Sequence, residues 1–144
     1  MRVGSVHRSR ILGILLMTVP NALPAGECRP IDTLDAFETS GLPPAGAECS
    51  TYLTATSGTG VSCRWENPYR AEAARQKASA LWETLIQCRD GKPLSPDKQV
   101  NHPDSYDLRT LAHGTTIYAI SVKDKAAQNR TLVFLRRELA GVTD

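Results

Sequence analysis

The stretch that decides the fold is residues 67–91, NPYRAEAARQKASALWETLIQCRDG. Read alone, it is one helix with both ends marked. Asn67 suits an N-cap, Pro68 the first helical position and Gly91 the position just past the end. Ala71, Ala74, Ala78, Leu81, Leu85 and Cys88 recur at steps of three and four, which places them on one helical face. Trp82 and Ile86 widen that face, while Glu72, Arg75, Lys77, Glu83 and Arg89 lie mostly off it.

On the N-terminal side of this helix the apolar period changes to two. Val61, Cys63 and Trp65 alternate with Ser62, Arg64 and Glu66, the pattern of a half-buried strand. Cys49 to Thr56 is rich in residues that fit a pleated surface, and Ser57-Gly58-Thr59-Gly60 supplies a turn, so the pair reads as a hairpin. Further upstream, Ile31, Leu34 and Phe37 predict a helix of about two turns, with Asp32 or Thr33 as cap and Gly41 as stop. Leu42-Pro43-Pro44-Ala45-Gly46 is a stiff connector that cannot continue it.

Beyond the long helix, Pro93 and Pro96 predict a surface loop over Lys92 to Val100. Three strands follow: Tyr106 to Leu111, Thr116 to Val122 and Thr131 to Arg136, with a turn at His113-Gly114 and a polar connector over Lys123 to Arg130. Thr116, Tyr118, Ile120 and Val122 share one side, and the Leu132-Val133-Phe134-Leu135 run predicts a central strand. The expected architecture is α+β: an antiparallel sheet of about five strands, a hairpin plus a three-strand meander. The long helix and the short N-terminal helix cover one face of it. Trp65 and Trp82 are the largest candidates to fill the space between.

Residues 1–25 have the anatomy of a secretory signal peptide. Arg2, Arg8 and Arg10 precede an apolar run, Ile11 to Val19, that is shorter than the ~20 residues a membrane span needs. Glu27 stands where lipoprotein processing at Cys28 would need a small residue, so no lipid anchor is expected. Without the leader, residues 26–144 form a single domain with 14 basic residues against 15 acidic ones. That balance is a poor footprint for nucleic-acid binding, which is set aside. The expected location is the periplasm or the medium.

Four cysteines in a small exported chain predict two disulfides, and no CxxC suggests a metal or redox site. If the helix folds back over the sheet, Cys63 lies ~10 Å from the corner and Cys88 ~30 Å along the return path. That is too far for a bond between them. Cys49 and Cys63 face each other if the hairpin loop is centred on Thr56, whereas a loop centred on Gly58 would offset them. The first arrangement leaves Cys28 with Cys88.

Chemistry-bearing side chains are densest in Val100-Asn101-His102-Pro103-Asp104-Ser105-Tyr106-Asp107. His102, Asp104 and Asp107 could form a binding site, or the centre of a metal-assisted hydrolase. The same residues also make a structured turn leading into a strand, which needs no ligand. Arg70, expected to open the long helix, opposes the helix dipole. It is therefore expected either to pair with Glu66 or a sheet carboxylate, or to meet a ligand anion. No GxSxG elbow and no Gly-rich phosphate loop is present, and no cofactor is expected. The leading expectation is a non-catalytic periplasmic or secreted binding or accessory protein of unknown partner, with an envelope protein as one candidate.

The Ser57–Gly60 tip resembles the exposed Ser-Gly loop that small exported lysozyme inhibitors insert into their target, which implies inhibition of a cell-wall enzyme as an alternative. Cys63-Arg64-Trp65 with Tyr69-Arg70, the segment Val100 to Asp107 and Lys123-Asp124-Lys125 together resemble a group of small exported proteobacterial proteins of unknown function. That resemblance implies export but no activity. The order of elements is also similar to the type III secretion chaperone fold, a likeness of topology alone.

Overall fold

The computed structural model describes residues 27–55, 58–100, 104 and 106–139, with backbone alone for 95–100. In chain order the elements are α1 (Arg29–Ser40), β1 (Glu48–Leu53), β2 (Thr59–Pro68), α2 (Glu72–Cys88), β3 (Lys92–Val100), β4 (Tyr106–His113), β5 (Thr116–Lys125) and β6 (Arg130–Leu139). A short 3-10 turn, Ala126–Gln128, links β5 to β6. The strands form one antiparallel sheet in the order β1-β2-β6-β5-β4-β3, which makes β6 central as its apolar run predicts.

The sheet has six strands among the described residues, because Lys92–Val100 pairs with β4 instead of looping. The two prolines are tolerated because β3 is an edge strand, where a missing N–H costs no inner ladder bond. A register shift between Leu94 and Lys98 absorbs the irregularity around Pro96.

The start of α2 also differs from expectation. Asn67 and Pro68 continue β2, paired with Thr131 and Arg130 of β6, and Ala71 is the N-cap, without a side-chain capping bond. The corner is a turn closed by the Ala71 N–H on the Pro68 carbonyl at 3.0 Å, with Arg70 in the left-handed region at φ 54°. Ladder pairing with β6 outcompetes the capping preference of an Asn-Pro pair. Gly91 does not supply a left-handed C-cap either. A Cβ there would lie 2.4 Å from Leu111 Cδ2 and 2.7 Å from the Ala112 carbonyl, so glycine lets the α2–β3 link press onto β4.

At the other end of the layer, α1 begins one turn earlier than expected. Its N-cap is Cys28, Pro30 sits in the first turn, and Gly41 at φ 65° closes it with an N–H bond to the Phe37 carbonyl. Neither Asp32 nor Thr33 caps it.

Register assigns the two faces. Tyr118, Ile120 and Val122 stand opposite Leu111 on β4 and Leu135 and Val133 on β6, and the same parity continues to Cys63 and Trp65 on β2. These residues bury against Ile31 and Leu34 of α1 and Ala74, Leu81 and Leu85 of α2, so both helices lie on this face. Truncating a fully buried anchor such as Leu85 to alanine would cost about 2–5 kcal/mol. Trp65 fills the centre at 7% exposure, its indole N–H bonded to the Ala45 carbonyl, while Trp82 packs at the margin.

Both disulfides are present. Cys49 and Cys63 are directly opposed, with Cα atoms 4.0 Å apart, and Cys28–Cys88 joins the start of α1 to the last residue of α2. All four cysteines are thereby bonded, which fits an oxidising, non-cytoplasmic compartment. No described helix is long and apolar enough to cross a membrane.

Candidate functional site

The acidic and basic residues singled out in the sequence do not converge. Asp104 Oδ1 accepts the Ala126 N–H at 2.8 Å and so braces the turn between β5 and β6. Asp107 stands on the helix-facing side of β4, opposite Val122, and lines a cavity beneath α2. His102 lies outside the described residues. Among those described, no group of three or more His, Cys, Asp and Glu side chains is placed to hold a metal.

Arg70 has a structural task. Its backbone N–H donates to Thr131 Oγ1 at 2.7 Å and its Nε lies 3.4 Å from Asp124 Oδ2, while Glu66 pairs with Arg130. Asp124 is the residue the sequence reading missed. Its side chain is 0% exposed and accepts from Thr131 Oγ1 at 2.6 Å and from Arg75 Nη2 at 3.2 Å. The clue was available: Asp124 continues the two-residue period of Tyr118, Ile120 and Val122, so it had to point inward.

A second charged cluster locks α1 down. Arg89 donates to Asp32 and Asp35 at 2.8 and 2.7 Å and to Tyr118 Oη at 3.4 Å, and Tyr118 in turn donates to Asp35. Arg137 pairs with Glu38 beside them. Burial raises the Tyr118 phenol pKa, with Asp35 adding to the shift and Arg89 opposing it. Arg89, Tyr118, Asp32 and Asp35 satisfy one another, which is what a structural clasp requires, while Arg137 Nε is buried without a hydrogen-bond partner among the described residues.

The opposite face of the sheet carries no helix among the described residues. By register it presents Arg64, Lys92, Lys123, Lys125, Arg130 and Arg136 against the carboxylates Glu48, Glu66 and Glu138. Glu48 and Glu66 are engaged by Arg64 and Arg130, and Glu138 accepts the Tyr52 hydroxyl at 2.5 Å. Six cations against three carboxylates leave this face with an excess of three positive charges, carried by the side chains around Lys92, Lys123, Lys125 and Arg136. Lys123 Nζ sits 5.1 Å from the Tyr106 ring centroid and 5.3 Å from that of Phe134, and Arg136 stacks over Phe134 at 5.3 Å. Burial between the rings, with Arg136 and Lys125 close by, lowers the Lys123 pKa. A concavity of about 370 Å³ opens beside this row over Ser50, Ser62, Arg64 and Phe134.

At the hairpin tip, the Thr54 and Gly58 main chains bond each other, with Thr54 Oγ1 accepting the Gly58 N–H at 2.9 Å. Ser57 lies outside the described residues. Gly60 lies under the Tyr52 ring, where a Cβ would come within 2.4 Å, so glycine lets that ring reach across to Glu138.

No protein-family model matches the chain, and no curated protein matches its sequence.

Proposed function

We propose that this is an exported, non-catalytic binding protein of the periplasm or medium that offers the sheet face opposite α1 and α2 to an acidic envelope protein. The observation that carries the reading is the row of cations interleaved with aromatic rings: Lys123 between Tyr106 and Phe134, then Arg136 over Phe134. In a chain of near-balanced charge, excess positive charge on one flat face produces a local field that steers an acidic partner. Holding the cations against rings also reduces the side-chain entropy lost when a partner docks. Export is supported by the leader and by the two disulfides.

Immobilised oxidised protein should retain an acidic partner from envelope extract and release it as salt rises. Lys125→Glu with Arg136→Glu should lose that partner at an unchanged unfolding midpoint. Reproducible recovery of no partner, or equal recovery by the doubly reversed variant, would refute the reading.

A further inference from the structure

The cavity between α2 and strands β4 and β5 is a separate feature on the other side of the sheet. Its volume is about 210 Å³, and Arg75 and Ser79 of α2, Asp107 and Arg109 of β4, and Ile120 and Val122 of β5 line it. On β4 the helix-facing positions are Asp107, Arg109, Leu111 and His113, and of these only Leu111 is apolar. An ordinary core would place apolar side chains at most of these. Here two consecutive inward positions carry opposite charges and face unfilled space.

Asp107 Oδ1 is buried and has no hydrogen-bond partner among the described residues. A carboxylate oxygen can only accept, so what it lacks is a donor. Two guanidiniums line the same cavity, Arg75 from α2 and Arg109 two residues along β4 from Asp107. Arg75 gives one N–H to Asp124, but a guanidinium carries five donors in a planar fork suited to a carboxylate. Ile120 and Val122, paired with Arg109 and Asp107 across the ladder, supply an apolar wall beside them. We propose that the cavity binds a free α-amino acid with a small aliphatic side chain, its ammonium on Asp107 and its carboxylate on Arg75 and Arg109.

The competing ligand classes fail on charge or size. A simple anion would meet the Asp107 carboxylate, and a simple amine would meet two guanidiniums. A nucleotide or oligosaccharide would lie mostly outside the cavity, since about 210 Å³ holds the equivalent of only about seven waters. An amino acid between alanine and valine in size matches that volume. The proposal does not depend on the sheet face, and either reading can fail without the other.

The test is calorimetric titration of the intact oxidised protein with each hand of alanine, and with propionate and ethylamine as probes lacking one charge each. One hand of alanine or both should bind saturably at millimolar concentration or below, with propionate and ethylamine weaker by about tenfold or more. Backbone amide shifts should localise to Ala78, Ile120 and Val122. Asp107→Asn keeps the shape and should weaken alanine binding about tenfold at an unchanged unfolding midpoint. Arg109→Gln provides an independent second variant with the same expected loss. Failure of both hands of alanine to saturate, equal binding of propionate, or unaltered binding by folded Asp107→Asn and Arg109→Gln would each overturn the proposal.

Discussion

Replacing Thr131 with valine tests how the long helix is launched. The Thr131 side chain lies at the corner between β2 and α2 and is 1% exposed. Its hydroxyl accepts the Arg70 N–H at 2.7 Å and donates to Asp124 at 2.6 Å. Valine keeps the volume and removes both bonds. The bond to the buried carboxylate is worth about 1.5–3 kcal/mol and the neutral one about 1 kcal/mol, so the expected loss is about 3 kcal/mol. The flanking ion pairs compensate little, because the Arg70 and Arg75 side chains are 44% and 45% exposed and well screened. In urea unfolding of the oxidised protein, at a slope of about 1.5 kcal/mol/M, the midpoint should fall by about 2 M. Thr131→Ser retains the hydroxyl and should lose only the methyl contribution, about 1 kcal/mol. A double-mutant cycle with Asp124→Asn should show the two side chains coupled rather than additive. If Thr131→Val proves no worse than Thr131→Ser, the hydroxyl does not hold the corner and the reasoning fails.

Four further outcomes are expected. Removing Cys28–Cys88, which closes a 60-residue separation, should cost about 4 kcal/mol in the chain-entropy model, while removing Cys49–Cys63, at 14 residues, should cost about 3 kcal/mol or less. The second value should fall furthest below the model, because ladder pairing already holds β1 to β2; paired alanine variants in urea would rank them. Gly91→Ala should cost about 1–3 kcal/mol in the same assay, since the added methyl meets backbone as well as Leu111. At high pH, burial and carboxylate neighbours raise the Tyr52 and Tyr118 pKa values, so the fold binds those protons more tightly than the unfolded chain does. Their contribution is complete below the ordinary phenol value of about 10 and is lost as pH rises beyond it, so Tyr118→Phe should flatten the alkaline loss in a pH series of unfolding midpoints. Lys123 has the opposite sign: its lowered pKa penalises the folded ammonium at neutral pH. That penalty is relieved as pH rises towards the ordinary lysine value of about 10.4, and Lys123→Met should abolish the relief.

Most of the architecture was legible in the sequence because each element carries its own period. The three-and-four spacing of Ala74, Ala78, Leu81 and Leu85 and the alternation of Tyr118, Ile120 and Val122 are both satisfied by burial on one side. The disulfides followed from register, since a loop centred on Thr56 puts Cys49 opposite Cys63. What escaped the sequence was decided by partners distant along the chain. Asn67-Pro68 carries a helix-start signature, yet β6 recruits it as strand. Pro93 and Pro96 read as loop, yet a free edge of β4 was there to be paired. Neither outcome can be derived from residues within one turn of the site.

The charged residues divide along the same line. Arg89, Asp124 and Arg137 look like surface residues by type, but each is drawn inward by a partner many residues away, and together they fasten both ends of the helical layer. Asp107 and Arg109 share the inward parity of Leu111 but sit where α2, which packs on β5 and β6, leaves β4 incompletely covered. The clasps at the two ends account for charges that have found partners. They do not account for Asp107, whose buried oxygen is left without one. Replacing Asp107 with leucine would remove that deficit and leave Arg109 and His113 as the polar inward positions of β4. If the deficit exists only because of folding, Asp107→Leu should be neutral or raise stability. It should raise stability and abolish alanine binding together if the charge is retained for a ligand. Unfolding midpoints with and without alanine separate the two, because a ligand that binds only the folded state raises the midpoint of the wild type and not that of the variant.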